Sequence, residues 1–206
     1  VLGGIYRSRI CWRFAPLSCL SVGSDVALQG LWAVPWMMEV VGLARSEAAH
    51  VLLIMSIAML VGFLFIASCT VWLAHRGISP RMLFIFGMVL ALLSGLGIVL
   101  ELAPSLVVWS GLGLAFSFSN IAYPQLTAHF DKALSGRVNS ALNLIVFLGA
   151  FGLQWGIGAL VDWFTVGGMA RDVAFRNSFA LLLAAQGLAF VWFFAPIPQK
   201  VRSMVH

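Results

Sequence analysis

The sequence predicts an all-α integral membrane protein, a bundle of six transmembrane helices. Of its 206 residues, 62% are hydrophobic and only 9% are charged, whereas a soluble domain carries roughly 25% charged residues. That deficit is too large for a water-facing surface, and the mean hydropathy of +1.02 agrees. The apolar residues gather into runs of membrane-crossing length, about 20 residues each. Transmembrane strands would instead alternate over segments of about ten residues. This pattern excludes an ordinary soluble enzyme and a disordered chain. The net charge of +5 comes from short basic clusters between apolar runs, so no stripe for nucleic acid forms.

Six spans are expected within a single domain over 1–206: Phe14–Met38, Val51–Ala74, Met82–Leu102, Ser105–Ala128, Val138–Val161 and Asn177–Ala195. The first carries Asp25 at its centre; in the other five the only charged residue is a terminal Glu101. Its apolar run is too long for the core of a signal peptide. Ser46, ahead of Glu47-Ala48-Ala49, is the expected N-cap of the second helix. Gly77 and Pro80 break the chain before the third, Pro104 ends the turn into the fourth, and Pro196 and Pro198 stop the sixth. Pro16, Pro35 and Pro124 fall within or at the ends of spans, where neighbouring helices can satisfy the backbone groups a proline frees.

Lys and Arg are divided unequally between the two sides. Arg7, Arg9, Arg13, Arg76, Arg81, Lys132, Arg137, Lys200 and Arg202 fall on one, Arg45, Arg171 and Arg176 on the other. The positive-inside rule then places both termini in the cytoplasm. Trp12, Trp36, Trp72, Trp109 and Trp163 lie near span ends, as interfacial belts require. Cys11, Cys19 and Cys69 lack metal-ligand spacing and read as small apolar side chains. His50, His75, His129 and His206 lie in loops or at span ends, no two in one span, so neither a metal nor a haem is expected. No cofactor is expected.

Polar side chains inside spans are the informative ones, because each is costly there. Asp25 either lines a substrate or proton path or fixes helix packing. Gln29 lies four residues on, on the same helical face. The fourth span carries Asn120, Tyr123 and Gln125, and the fifth Asn139, Asn143 and Gln154. The third offers only Ser94 in its body, and the sixth only Gln186 deep inside. Spans one, four and five thus read as cavity or interface helices, and three and six as lipid-facing. Gly149, Gly152, Gly156 and Gly158 form a small-residue stripe on the fifth span, read as close helix packing. Enzyme chemistry is not expected: a six-helix intramembrane serine protease would need a histidine at the depth of Ser94 or Ser110, and the sixth span has none.

Residues 14–75 and 105–163 share a pattern: a polar-flecked helix ending near a proline, a short charged loop, and a helix with a central glycine (Gly62, Gly152). A plainer third helix follows each. Three plus three helices put the two units in opposite orientations, the inverted repeat of secondary transporters.

Several motifs resemble the C-terminal six-helix half of a major facilitator superfamily (MFS) transporter. Gln29-Gly30-Leu31-Trp32 with Pro35, then Ser46-Glu47-Ala48-Ala49, resembles the family's seventh helix and following loop. Leu73-Ala74-His75-Arg76 resembles its cytoplasmic Leu-Ala-Asp-Arg turn, with His75 in place of the acidic residue. Gly136-Arg137 leading into Phe147-Leu148-Gly149-Ala150-Phe151, Gln154, Gly158 and Asp162 resembles its eleventh helix. The resemblance covers nearly the whole chain. It implies secondary transport of a small polar solute by alternating access, possible proton coupling, and a location in the bacterial inner membrane. It also implies a second six-helix bundle, either a missing N-terminal half or a second copy. Asp25, Gln29, Asn120, Tyr123, Asn143 and Gln154 are the expected substrate or proton pathway. Arg76 and Arg81 belong to the cytoplasmic loop motif. The alternatives are a non-transporting or truncated half and, remotely, the protease.

Overall fold

The computed structural model describes residues 2–195. The stop at Pro196 and Pro198, together with Lys200, Arg202 and His206, lies outside the described residues. Within them every regular element is a helix, and six are long and apolar enough to cross a membrane. A short helix, α1 (Leu2–Arg7), precedes the first span, which is built from α2 (Arg9–Ala27), a π-helical stretch (Leu28–Trp32) and α3 (Ala33–Glu39). The second span is α4 (Arg45–His75) and the third α5 (Pro80–Val99); α6 (Ser105–Ser119) and α7 (Ala122–Thr127) make the fourth. A 3₁₀ turn at Lys132–Leu134 leads into α8 (Ser135–Val166), the fifth span, and α9 (Arg171–Phe193) is the sixth.

Most helices run past the apolar limits expected of them, because a charged residue costs little at a helix end that reaches the interface. The second span starts at Arg45 with Ala44 as its N-cap, so Ser46 is not the cap. The reason is Glu47, whose Oε2 accepts the Ala44 amide at 2.8 Å and satisfies one of the orphan donors of the first turn. The third span stops short, at Val99. Gly77 closes α4 in the left-handed region, at φ 85°, while the Ile78 amide bonds the Leu73 carbonyl at 2.9 Å.

The prolines account for each irregularity. Pro35 cannot donate to Leu31, and its ring crowds that carbonyl; the turn before it is widened into the π-helical Leu28–Trp32. Pro124 stands in the same relation to Asn120, and the fourth span is interrupted between Ser119 and Ala122. Pro16 leaves the helix intact. The Trp12 carbonyl it frees accepts the indole N–H of Trp192, from the sixth span, at 3.0 Å.

Packing is dominated by two crossings, α2 against α8 and α6 against α4, with α6 also packed along α5. Glycines permit both. A Cβ on Gly23 would lie 3.1 Å from the Ala150 amide nitrogen, and one on Gly149 would lie 2.4 Å from Cys19 Sγ. At the other crossing, a Cβ on Gly113 would lie 2.4 Å from the Met55 carbonyl oxygen and one on Gly62 2.5 Å from Ser117 Oγ. The stripe on the fifth span therefore divides. Gly149 packs, and Gly158 sits against the Trp32 ring, but Gly152 and Gly156 have nothing within 4 Å. Close packing at Gly152 and Gly156 is not realised within this chain, because α8 turns those positions away from its neighbours.

Two apolar clusters fill the bundle. One surrounds Trp36, Met55, Trp109, Phe175 and Phe179; the other surrounds Phe14, Phe84, Phe118, Leu142 and Phe193. Between Leu17 and Leu28 only Leu20 of α2 packs against either cluster, and there Ser18, Ser21, Ser24 and Asp25 are buried. Burial within the chain does not follow the distribution of polar residues along the spans. The third and sixth spans bury 44% and 39% of their most apolar windows, against 17% for the second and 28% for the fifth. Polarity along a span tells which face is polar, but not how many neighbours the helix has.

Candidate functional site

The polar residues of the fourth and fifth spans meet. Asn120, Tyr123, Asn139, Ser140 and Asn143 line an open cleft of about 560 Å³ between α7 and α8. The break before Pro124 helps form it, since Asn120 caps α6 and its side-chain amide donates back to the Phe116 carbonyl at 2.9 Å. Tyr123 then stands on the separate turn α7 and donates its hydroxyl to Asn143 Oδ1 at 3.1 Å. The single Thr127 hydroxyl proton is shared between Asn139 Oδ1 and the Tyr123 carbonyl, each 2.8 Å away.

These bonds use the carbonyl oxygens of Asn139 and Asn143. Their Nδ2 groups, and Oδ1 of Asn120, have no partner among the described residues. The cleft thus offers two amide donors, one amide acceptor and the Ser140 hydroxyl, with no charged side chain in its lining. Such a set holds a polar group by hydrogen bonds rather than by ion pairing. Asn139 and Ser140 were not singled out as site residues in the sequence, although they stand one turn before Asn143.

Asp25 does not line this cleft. It is 3% exposed, with Oδ2 unbonded, and it shares a helical face with Ser18 and Ser21 by its seven- and four-residue spacing. Gly23 and Cys19 touch α8, and a step of two residues turns Asp25 roughly 200° from that contact. The carboxyl therefore points into the interior of the bundle. Beside it, Ser24 and the Leu20 carbonyl receive the Gln186 amide at 2.5 and 2.9 Å. Neither ion pair among the described residues involves Asp25.

Gln29 and Gln154 form a second locality at the π-helical stretch. Gln29 donates to Ser56 Oγ at 3.0 Å, and the Trp32 indole donates to the Gln154 carbonyl at 2.9 Å. A Cβ on Gly30 would lie 3.6 Å from Gln154 Nε2. Gln125 is drawn away from the cleft, donating to the Pro80 carbonyl at 3.2 Å. Arg76 stacks on Trp72, its guanidinium carbon 4.7 Å from the ring centroid. Arg81 lies over Phe193 at 5.8 Å. Among the described residues no group of three or more His, Cys, Asp or Glu could hold a metal ion.

Comparison with family models, with curated proteins and with solved structures finds no match to this chain.

Proposed function

We propose that the chain is one six-helix half of an MFS-type secondary transporter, moving a small polar solute by alternating access. The observation that carries this reading is the open polar cleft. Five hydrogen-bonding side chains from α6, α7 and α8 face outward from a bundle of membrane-length helices. Lipid would leave their free amide groups unsatisfied, at a cost of several kcal/mol on the order of that for any unpaired polar group in hydrocarbon. A second six-helix bundle, contributed by a further half or by a second copy, would cover the cleft and complete a solute site.

Packing supports the inverted repeat. The first span crosses the fifth and the fourth crosses the second, an exchange that two units of three helices in opposite orientation generate. Glycines stand at both crossings. The well-exposed second and fifth spans leave room for a partner bundle. Both ion pairs, Arg171–Glu39 and Arg176–Glu101, join helix ends on one side, and apart from Arg45 the basic residues without an ion pair among the described residues fall on the other. That asymmetry supports the reading with both termini in the cytoplasm.

In this account Asn120, Tyr123, Asn139, Ser140 and Asn143 bind the solute. Gln29 and Gln154 lie further along the same pathway. Asp25 is the proton-coupling residue, acting from the bundle interior rather than by touching solute. Arg76 and Arg81 set topology on the cytoplasmic side. The test is solute content. Native membrane vesicles bearing the chain are exposed to a mixture of polar metabolites and analysed by mass spectrometry. At least one solute is expected to enter wild-type vesicles and not those bearing Asn143→Leu. Equal content in wild-type and chain-free vesicles would overturn the proposal.

A further inference from the structure

A second pocket, unconnected with the cleft, lies where the first, third, fourth and sixth spans end together. Its volume is about 360 Å³, and its polar lining is Arg13, Ser79, Arg81, Gln125 and His129, with Phe193 as a wall. Both guanidinium groups face that one ring, at 5.3 Å for Arg13 and 5.8 Å for Arg81. Two like charges on one aromatic ring repel, so an anion held between them is favoured.

The chain has little to do so. Neither arginine forms an ion pair among the described residues. Of the seven acidic residues, Glu39, Glu47, Glu101, Asp162 and Asp172 belong to the opposite end and Asp25 is buried at mid-span. The one remaining, Asp131, caps the 3₁₀ turn, its Oδ1 accepting the Ala133 amide at 2.9 Å, and forms no ion pair among the described residues. Residues 196–206 add Lys200 and Arg202 but no Asp or Glu.

The donors are also unspent. Arg13 uses Nε on the Phe193 carbonyl at 2.7 Å; its two terminal nitrogens and the whole Arg81 guanidinium have no hydrogen-bond partner among the described residues. His129 donates Nδ1–H to the Gln125 carbonyl at 2.8 Å, which leaves Nε2 as an acceptor for a protonated phosphate oxygen. Ser79 and Pro80 open the twenty-residue α5, so the positive end of a helix dipole adds to the same field. Two planar forks and a helix start supply donors from several directions, which a tetrahedral oxyanion with three or more oxygens can meet at once.

We propose that this pocket binds a phosphate group, from a phospholipid headgroup or from a soluble phosphate. The site is independent of solute transport. The apolar walls Ile10, Phe14 and Phe193 would accommodate the glycerol end of a lipid, and basic pockets between membrane helices hold anionic headgroups in this way.

The test uses the purified full chain in a neutral detergent, with binding read by native mass spectrometry. Phosphatidylglycerol, phosphatidylcholine and inorganic phosphate are supplied in separate arms. Arg81→Gln, which breaks no hydrogen bond, is expected to weaken phosphate-group binding about tenfold. Arg76→Gln, an equal loss of charge outside the pocket, is expected to leave it unchanged. Binding of phosphatidylglycerol alone supports the proposal with a lipid source, and binding of inorganic phosphate supports it with a soluble one. No binding in any arm, or equal weakening by Arg76→Gln, overturns it.

Discussion

The crossing of α4 and α6 makes a sharp prediction about a single methyl group. A Cβ added at Gly113 would stand 2.4 Å from the Met55 carbonyl oxygen, 2.9 Å from Met55 Cγ and 3.1 Å from the carbonyl carbon. Ordinary contact begins near 3.4 Å, so the two helices must part by about 1 Å. The Met55 side chain can swing aside, but its carbonyl is held in the helix. A gap of that size forfeits a quarter to a half of the dispersion energy of contacts across the crossing. Overpacking of a tight interior costs about 1–3 kcal/mol, and a backbone obstacle puts Gly113→Ala near the top of that range. At roughly 2–4 °C per kcal/mol for a chain of this size, the melting temperature should fall by about 6–12 °C. The assay is the monodisperse fraction remaining after heating the full chain in detergent. Gly152→Ala is the control, since its Cβ would meet nothing within 4 Å, and it should stay within about 2 °C of wild type. A Gly113→Ala variant as stable as Gly152→Ala would refute the geometry of this crossing.

Three further outcomes are expected. Trp192→Phe removes the donor that satisfies the Trp12 carbonyl and should cost about 1 kcal/mol, but less in a Pro16→Ala background, where the helix supplies its own donor; an equal loss in both backgrounds would disprove the compensation. Asp25→Asn should abolish the dependence of solute entry on an imposed pH gradient while the protein still reaches the membrane, and retained dependence would exclude Asp25 as the coupling residue. Tyr123→Phe deletes one hydrogen bond in an open cleft, so it should slow solute entry severalfold yet change stability by no more than about 1 kcal/mol; a large loss of stability instead would make the tyrosine a packing residue.

The membrane-length helices were legible in the sequence because a span is written in composition, residue by residue. So was the concentration of amides on the fourth and fifth spans, and α7 and α8 bring Asn120, Tyr123 and Asn143 together. What the sequence does not carry is which neighbour a helical face meets. Gly149 and Gly152 look alike in a stripe, yet one abuts Cys19 and the other meets open space. Asp25 and Gln29 share a face by spacing, yet Gln29 reaches Ser56 on the second span while Asp25 Oδ2 has no partner among the described residues. The basic pocket was invisible for the same reason: Arg13, Arg81 and His129 come from three spans far apart in sequence. Each arginine alone reads as a topology signal, and only the shared Phe193 ring makes them a site.

The account turns on whether the cleft between α7 and α8 meets water from both sides of the membrane. Asn143→Cys, in a chain whose Cys11, Cys19 and Cys69 are replaced by alanine, can be exposed to a membrane-impermeant maleimide in right-side-out and in inverted native vesicles. Alternating access predicts modification in both preparations, reduced when a transported solute is present. Modification from one side only, or from neither, would contradict it.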